Sequence, residues 1–173
     1  MIKLRFYITV YFIIFVLLQV LVMNNIHLFK LATPFIYIYV FLKFPVDMTR
    51  MNVIFLSFLL GLAVDVFSNT FGMHAAACSF AGFIRRPLLE RFVDIKDLPE
   101  GSIPSYKLFG FGKFIRYVFI LTVLHHVALF VIEAFTFFQP LMMIVRMTSA
   151  ILFSSLLILT TEAFNFEKNR NGE

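Results

Sequence analysis

The polar side chains that interrupt this apolar chain fall into a few clusters. Asp65 is followed by Ser68, Asn69, Gly72 and His74. Asp, Ser and Asn at such spacing cap and turn a chain where a helix ends. Gly61, one helical turn before Asp65, lets a second helix pack closely on the same face. Asp65 and His74 could share a proton or a cation, but two residues are a weak metal signal. Glu133 and Arg146 flank one tight turn near Gln139-Pro140, which places them at similar depth. That spacing predicts an interhelical ion pair fixing the register of a hairpin, with ligand or proton handling and a water-exposed interface as the alternatives. His125 and His126 are neighbours, and neighbours on a helix point about 100° apart. They cannot serve one ligand together, and one of them is expected to hydrogen-bond within the protein. The Met residues, Met142-Met143 among them, read as apolar filler.

No catalytic pattern accompanies these residues. The sequence has no Walker lysine loop, no His-Glu-x-x-His, no Gly-x-Ser-x-Gly and no carboxylate pair at short spacing within a helix. One cysteine, Cys78, excludes an internal disulfide and a cysteine-based metal site. The reading is non-enzymatic, with no cofactor and no metal.

The elements that hold these residues belong in lipid. Of 173 residues, 61% are hydrophobic and 14% charged, with a mean hydropathy of +0.91. Soluble domains are roughly 45–50% apolar and about 25% charged. A soluble chain of this size cannot hide so much apolar surface in one core. The composition also excludes disordered, collagen-like and disulfide-scaffold proteins. The net charge of +5 fits Lys- and Arg-rich cytoplasmic loops better than nucleic-acid binding.

A spanning helix takes ~20 mostly apolar residues. Candidate runs cover 4–23, 31–44, 53–67, 71–84, 115–138 and 141–161. The first has no small-x-small cleavage site after it and reads as a retained helix rather than a signal peptide. The second begins near Pro34, which suits a helix's first turn. Runs two to four are short, so tilting, shielding or re-entrance stay open for them, and four crossings is the fallback. The fourth is rich in small residues between Gly72 and Gly82, which favour close helix packing in lipid. With a cytoplasmic N-terminus, thirteen of the fifteen basic residues fall on that side; Lys30 falls outside and Arg146 within the sixth run. The expectation is an all-α polytopic membrane bundle of about six transmembrane helices. It forms a single domain over 1–173 with both termini cytoplasmic.

The one sizeable loop covers 85–114. Leu88, Leu89, Phe92, Val93 and Ile95 recur among Arg86, Glu90, Arg91, Asp94 and Lys96, which suits a short amphipathic helix on the cytoplasmic face. Pro99, Gly101 and Pro104 end it. The aromatic and basic stretch from Tyr106 to Lys113 reads as an interfacial anchor, or more sharply as a docking patch for a cytoplasmic partner.

The segment Gly61-Leu-Ala-Val-Asp65-Val-Phe-Ser68-Asn69-Thr-Phe-Gly72, followed by Met-His-Ala-Ala76, resembles the G-x-x-x-D-x-x-S-x-x-x-G segment of the rod shape-determining MreD family. Leu17-Leu18-Gln19 resembles the end of that family's first helix, and Ala32-Thr33-Pro34 the start of its second. The chain departs from many members in its longer loop between the fourth and fifth runs. The resemblance implies a multi-pass, non-enzymatic protein of the bacterial cytoplasmic membrane. It would bind the bitopic protein MreC and help coordinate lateral peptidoglycan synthesis and cell shape. It would work with the MreB filament, the RodA glycosyltransferase and the elongation-specific class B penicillin-binding protein. The implied fold is similar to the six-helix substrate-binding subunits of energy-coupling-factor vitamin transporters.

On this reading Gln19, Pro34, Gly61, Asp65, Ser68, Asn69 and Gly72 are structural or partner-binding residues. Small-residue faces at Gly61, Ala76 and Gly82 would receive a partner's transmembrane helix. The alternative is a substrate-binding subunit of a vitamin-type transporter, which needs an outer pocket with convergent polar groups.

Overall fold

The computed structural model describes residues 2–26, 33–134 and 140–170. Among them the regular structure is entirely helical. The helices are α1 (Ile2–Leu21), α2 (Ile38–Leu42), α3 (Arg50–Ser68), α4 (Met73–Glu90), α5 (Tyr106–Phe109), α6 (Phe111–Ala134) and α7 (Pro140–Arg170). Single 3₁₀ turns follow α1 at Met23–Asn25 and precede α5 at Ile95–Asp97. Four stretches, Phe6–Asn25, Arg50–Ser68, Phe111–Ala134 and Leu141–Phe164, are helices long and apolar enough to cross a membrane. Phe6, Met51, Phe55, Val66, Val131 and Leu152 are all exposed on them. Such a belt of large apolar side chains would be a liability in water and is an ordinary surface in lipid.

The run at 31–44 does not form the long helix its composition suggests. Residues 31 and 32 lie outside the described ones, and only Ile38–Leu42 are helical. Instead the chain from Ile36 to Val46 is buried throughout, threaded between the long helices. Buried main-chain groups outside a helix persist only where protein satisfies them. Here side chains do so. Gln19 Oε1 accepts the Ile36 N–H at 2.9 Å and Ser154 Oγ accepts that of Phe35 at 2.8 Å. The Gln19 amide donates to the Pro34 carbonyl at 3.2 Å. Beyond α2, the Val46 N–H reaches the Ser102 carbonyl at 2.9 Å.

Contacts along this segment fix the directions of its neighbours. Tyr37 meets the His74 ring at the start of α4, and Phe44 meets Arg85 near its end. Gln19 near the end of α1 holds Pro34 and Ile36, while Phe15 lies against Tyr39. Ser154 and Glu162 of α7 follow in the same order, against Phe35 and Tyr39. Six chain segments therefore alternate in direction, although four have the length and apolarity of membrane spans.

The fourth run extends past 84. α4 continues to Glu90 with Pro87 inside its last turns. Arg85 is thus a helix residue, buried at 1% exposure, and not part of a loop. The expected amphipathic surface helix is likewise replaced. Leu89 is buried, and Leu88, Phe92, Val93, Ile95 and Leu98 pack against the core. These apolar residues find the open end of the bundle and close it, which removes their need for a lipid surface.

Candidate functional site: the Asp65 turn and its cavity

α3 ends in a Schellman-type turn, with Asn69 in the left-handed region at φ 54° and the Thr70 N–H bonded to the Asp65 carbonyl at 3.1 Å. Gly72 reverses the chain again at φ 77°. A Cβ there would meet nothing within 4 Å, so glycine is needed for its backbone angle and not for space. At Gly61 the reason is the opposite. A Cβ would overlap the His74 carbonyl and the Ala75 Cα, so this residue sets how closely α3 and α4 approach.

Asp65 caps the helix that follows. Its Oδ1 accepts the His74 N–H at 3.1 Å and its Oδ2 accepts the Ala75 N–H at 2.8 Å. These are first-turn donors of α4 that no intrahelical carbonyl can reach. The Thr70 hydroxyl donates to Oδ1, and His74 Nδ1 lies 3.0 Å from the same oxygen. The buried carboxylate is thereby saturated, and the positive end of the α4 dipole adds to its stabilisation.

Gln19, Pro34 and Ser68 join this turn. The Gln19 amide donates to Asn24 Oδ1 at 2.9 Å as well as to Pro34, and the Asn24 amide donates to Ser68 Oγ at 2.8 Å. The end of α1, the entry to the buried segment and the α3–α4 turn form one connected unit. All seven residues singled out by the resemblance belong to it. His74 was seen in the sequence only as a weak partner for Asp65; the structure makes it central. The docking faces fare differently. Gly61 is buried against α4, and Gly82 against Ser57 and Val53, so neither is open to a partner; Ala76 is exposed.

Beside the turn lies an open cavity of about 630 Å³. Val20, Phe35, Leu129 and Phe130 give it apolar walls, and Asn24, Thr70, His74, Glu133 and Arg146 give it polar ones. Glu133 is half-buried and Arg146 exposed. The expected ion pair between them is not formed. The pairs within 4.0 Å among the described residues are Lys43–Glu162, Asp65–His74 and Arg86–Glu90. The turn expected to hold Glu133 and Arg146 together, residues 135–139, lies outside the described residues.

Deeper in the bundle the two histidines take separate partners, as their angular separation requires. His125 Nε2 lies 3.1 Å from the Tyr37 hydroxyl and 3.6 Å from Cys78 Sγ. His126 Nδ1 donates to the Thr122 carbonyl at 2.8 Å, which leaves Nε2 to accept from Ser154 Oγ at 3.2 Å. Both therefore pack and bond internally. No group of three or more His, Cys, Asp or Glu side chains among the described residues is placed to hold a metal ion.

Three buried charges at the opposite end, Lys43, Glu162 and Arg85, escaped the sequence reading. Lys43 donates to both oxygens of Glu162, at 2.9 and 2.8 Å, and to the Pro104 carbonyl at 2.6 Å. Tyr39 donates to Glu162 Oε2 at 2.6 Å. Nearby, burial and then the Glu162 charge raise the Tyr106 hydroxyl above the ordinary phenol range. Arg85 donates to the Phe44 carbonyl, to Leu42 and Pro45 carbonyls at 3.5 Å, and from Nε to the Tyr117 hydroxyl at 3.1 Å. A signal for Arg85 was present: it shares a helical stripe with Cys78, Ala81 and Leu89, all buried.

Compared with protein families, with curated proteins and with solved structures, the chain matches none of them.

Proposed function

We propose that the chain is an MreD-type scaffold of the bacterial cytoplasmic membrane, without enzymatic activity. It would bind an MreC-like bitopic protein and help coordinate lateral peptidoglycan synthesis. The observation that carries this reading is the unity of the resembling residues. Gln19, Pro34, Gly61, Asp65, Ser68, Asn69 and Gly72 come from separate stretches of sequence and form one bonded, close-packed end of the bundle. Gln19, Asp65, Ser68, Asn69 and the two glycines each have a geometric duty there that suits the residue type, and Pro34 offers its carbonyl. Nothing about the unit requires a reacting group, since the bonds of Asp65 are spent on holding backbone.

The alternation of six segments supports six crossings. Arg50, Arg86, Arg91, Lys96, Lys107, Lys113 and Arg116 gather at the Arg85 end of α3, α4 and α6, which supports a cytoplasmic position for that end and for both termini. The Asp65 turn then faces outward. With Gly61 and Gly82 used internally, the exposed α4 face of Ala76, Phe80 and Phe83 is the surface left for a partner helix.

The test is a tagged pull-down from gently solubilised membranes with identification of everything retained. An MreC-like protein together with RodA, a class B penicillin-binding protein or MreB is the expected result. Recovery of an ATPase pair and a coupling subunit would instead make the chain a vitamin-type transporter subunit and end the scaffold reading.

A further inference from the structure

The cavity beside the Asp65 turn presents an acid and a base that do not touch each other. Glu133 and Arg146 both line it, and no ion pair joins them. Its volume of about 630 Å³ is that of a small-molecule site. Val20, Phe35, Leu129 and Phe130 supply apolar wall, which suits carbon chain and not bare ions. An anion alone would answer Arg146 and leave Glu133 facing like charge. A cation alone would answer Glu133 and repel Arg146. One ligand class satisfies both: a zwitterion that carries an ammonium and an anionic group in one molecule.

We propose that this cavity binds such a zwitterion, with its ammonium at Glu133, its phosphate or carboxylate oxygens at Arg146, and its adjoining carbons on the apolar wall. The chemistry is shared by an aminophospholipid headgroup, which the surrounding membrane can deliver, and by a free amino acid or phosphoethanolamine from solution. The inference does not depend on the scaffold reading, because it uses none of the partner-binding residues.

The experiment uses the full chain purified in detergent, with binding read by native mass spectrometry and thermal shift. The probes are phosphatidylethanolamine, its N-acylated derivative lacking the ammonium, phosphatidylglycerol, and soluble phosphoethanolamine and glycine. Saturable binding of phosphatidylethanolamine, with ~10-fold weaker binding of the N-acylated lipid and of phosphatidylglycerol, is expected for the lipid source. Saturable binding of phosphoethanolamine or glycine without lipid preference supports the same site with a soluble ligand. Glu133→Gln and Arg146→Gln should each weaken whichever zwitterion binds by ~10-fold. Equal binding of all three lipids with no soluble ligand bound overturns the proposal, as does a loss on Arg146→Gln alone, which would mark a plain anion site. The ligand series on the unaltered protein decides the matter even where a variant folds poorly.

Discussion

α4 begins on a buried carboxylate and, near its other end, carries a buried guanidinium. Asp65 collects N–H donors; Arg85 collects carbonyl acceptors. Both solve the same difficulty, since main-chain groups at the end of a helix cannot be left bare where water is absent. They differ in reach. Asp65 serves the turn that it belongs to, and shares the work with Thr70 and His74 within ten residues of sequence. Arg85 serves another part of the chain, bridging α4 to the end of α2 and to Tyr117 of α6, with no carboxylate among its partners in the described residues. Tyr117 in turn donates to the Leu42 carbonyl at 3.2 Å. One charge finishes a local motif and the other ties three elements together, so their loss should differ in size and in kind.

The largest effect is expected at Arg85. Arg85→Met takes from the Phe44 carbonyl its donor in the core and should cost up to about 3 kcal/mol. Arg85→Lys should recover only part of this, because an ammonium cannot reproduce the planar fork. Thermal unfolding in detergent measures both; a Tm within about 2 °C of wild type for the Met variant would show that Arg85 ties nothing together. Next comes Asp65→Ala, which strips a helix cap and should cost ~1–2 kcal/mol, with Asp65→Asn milder because the amide keeps one acceptor. If Ala and Asn behave alike, the charge and not the capping is what matters. The two sites share no partner, so the Asp65→Asn and Arg85→Lys effects should add within ~0.5 kcal/mol in a double-mutant cycle. Stronger coupling would mean that α4 carries strain from one end to the other. Smallest are Glu133→Gln and Arg146→Gln in ligand-free protein, each within about 0.5 kcal/mol and additive. Coupling above about 1 kcal/mol would restore the ion pair between them.

Asp65 was legible in the sequence because its neighbours declare a helix end: a serine, an asparagine and a glycine within seven residues. Local chemistry of that kind is written locally. Arg85 was not, because an arginine after an apolar run reads as the start of a cytoplasmic loop, and only the stripe through Cys78, Ala81 and Leu89 argues otherwise. The 31–44 run was misjudged in length of helix for a related reason. A short apolar stretch looks the same whether lipid or protein surrounds it. What distinguishes the two is the presence elsewhere of Gln19, Ser154 and Arg85 to meet its backbone, and no window over 31–44 contains them. The ion pair of Glu133 and Arg146 was inferred from equal depth alone, and depth does not fix the rotation of either helix.

The threaded segment has a consequence for how the protein is made. Residues 33–46 leave the ribosome early, yet the groups that satisfy them come late: Tyr117 from α6, then Ser154 and Glu162 from α7. Until those helices are in place, this stretch lacks partners that it has in the folded chain. The bundle therefore cannot mature one helix at a time from its N-terminus. Its second segment takes its full set of bonds only when α7 is in place. The loss of α7 alone would strand residues made long before it.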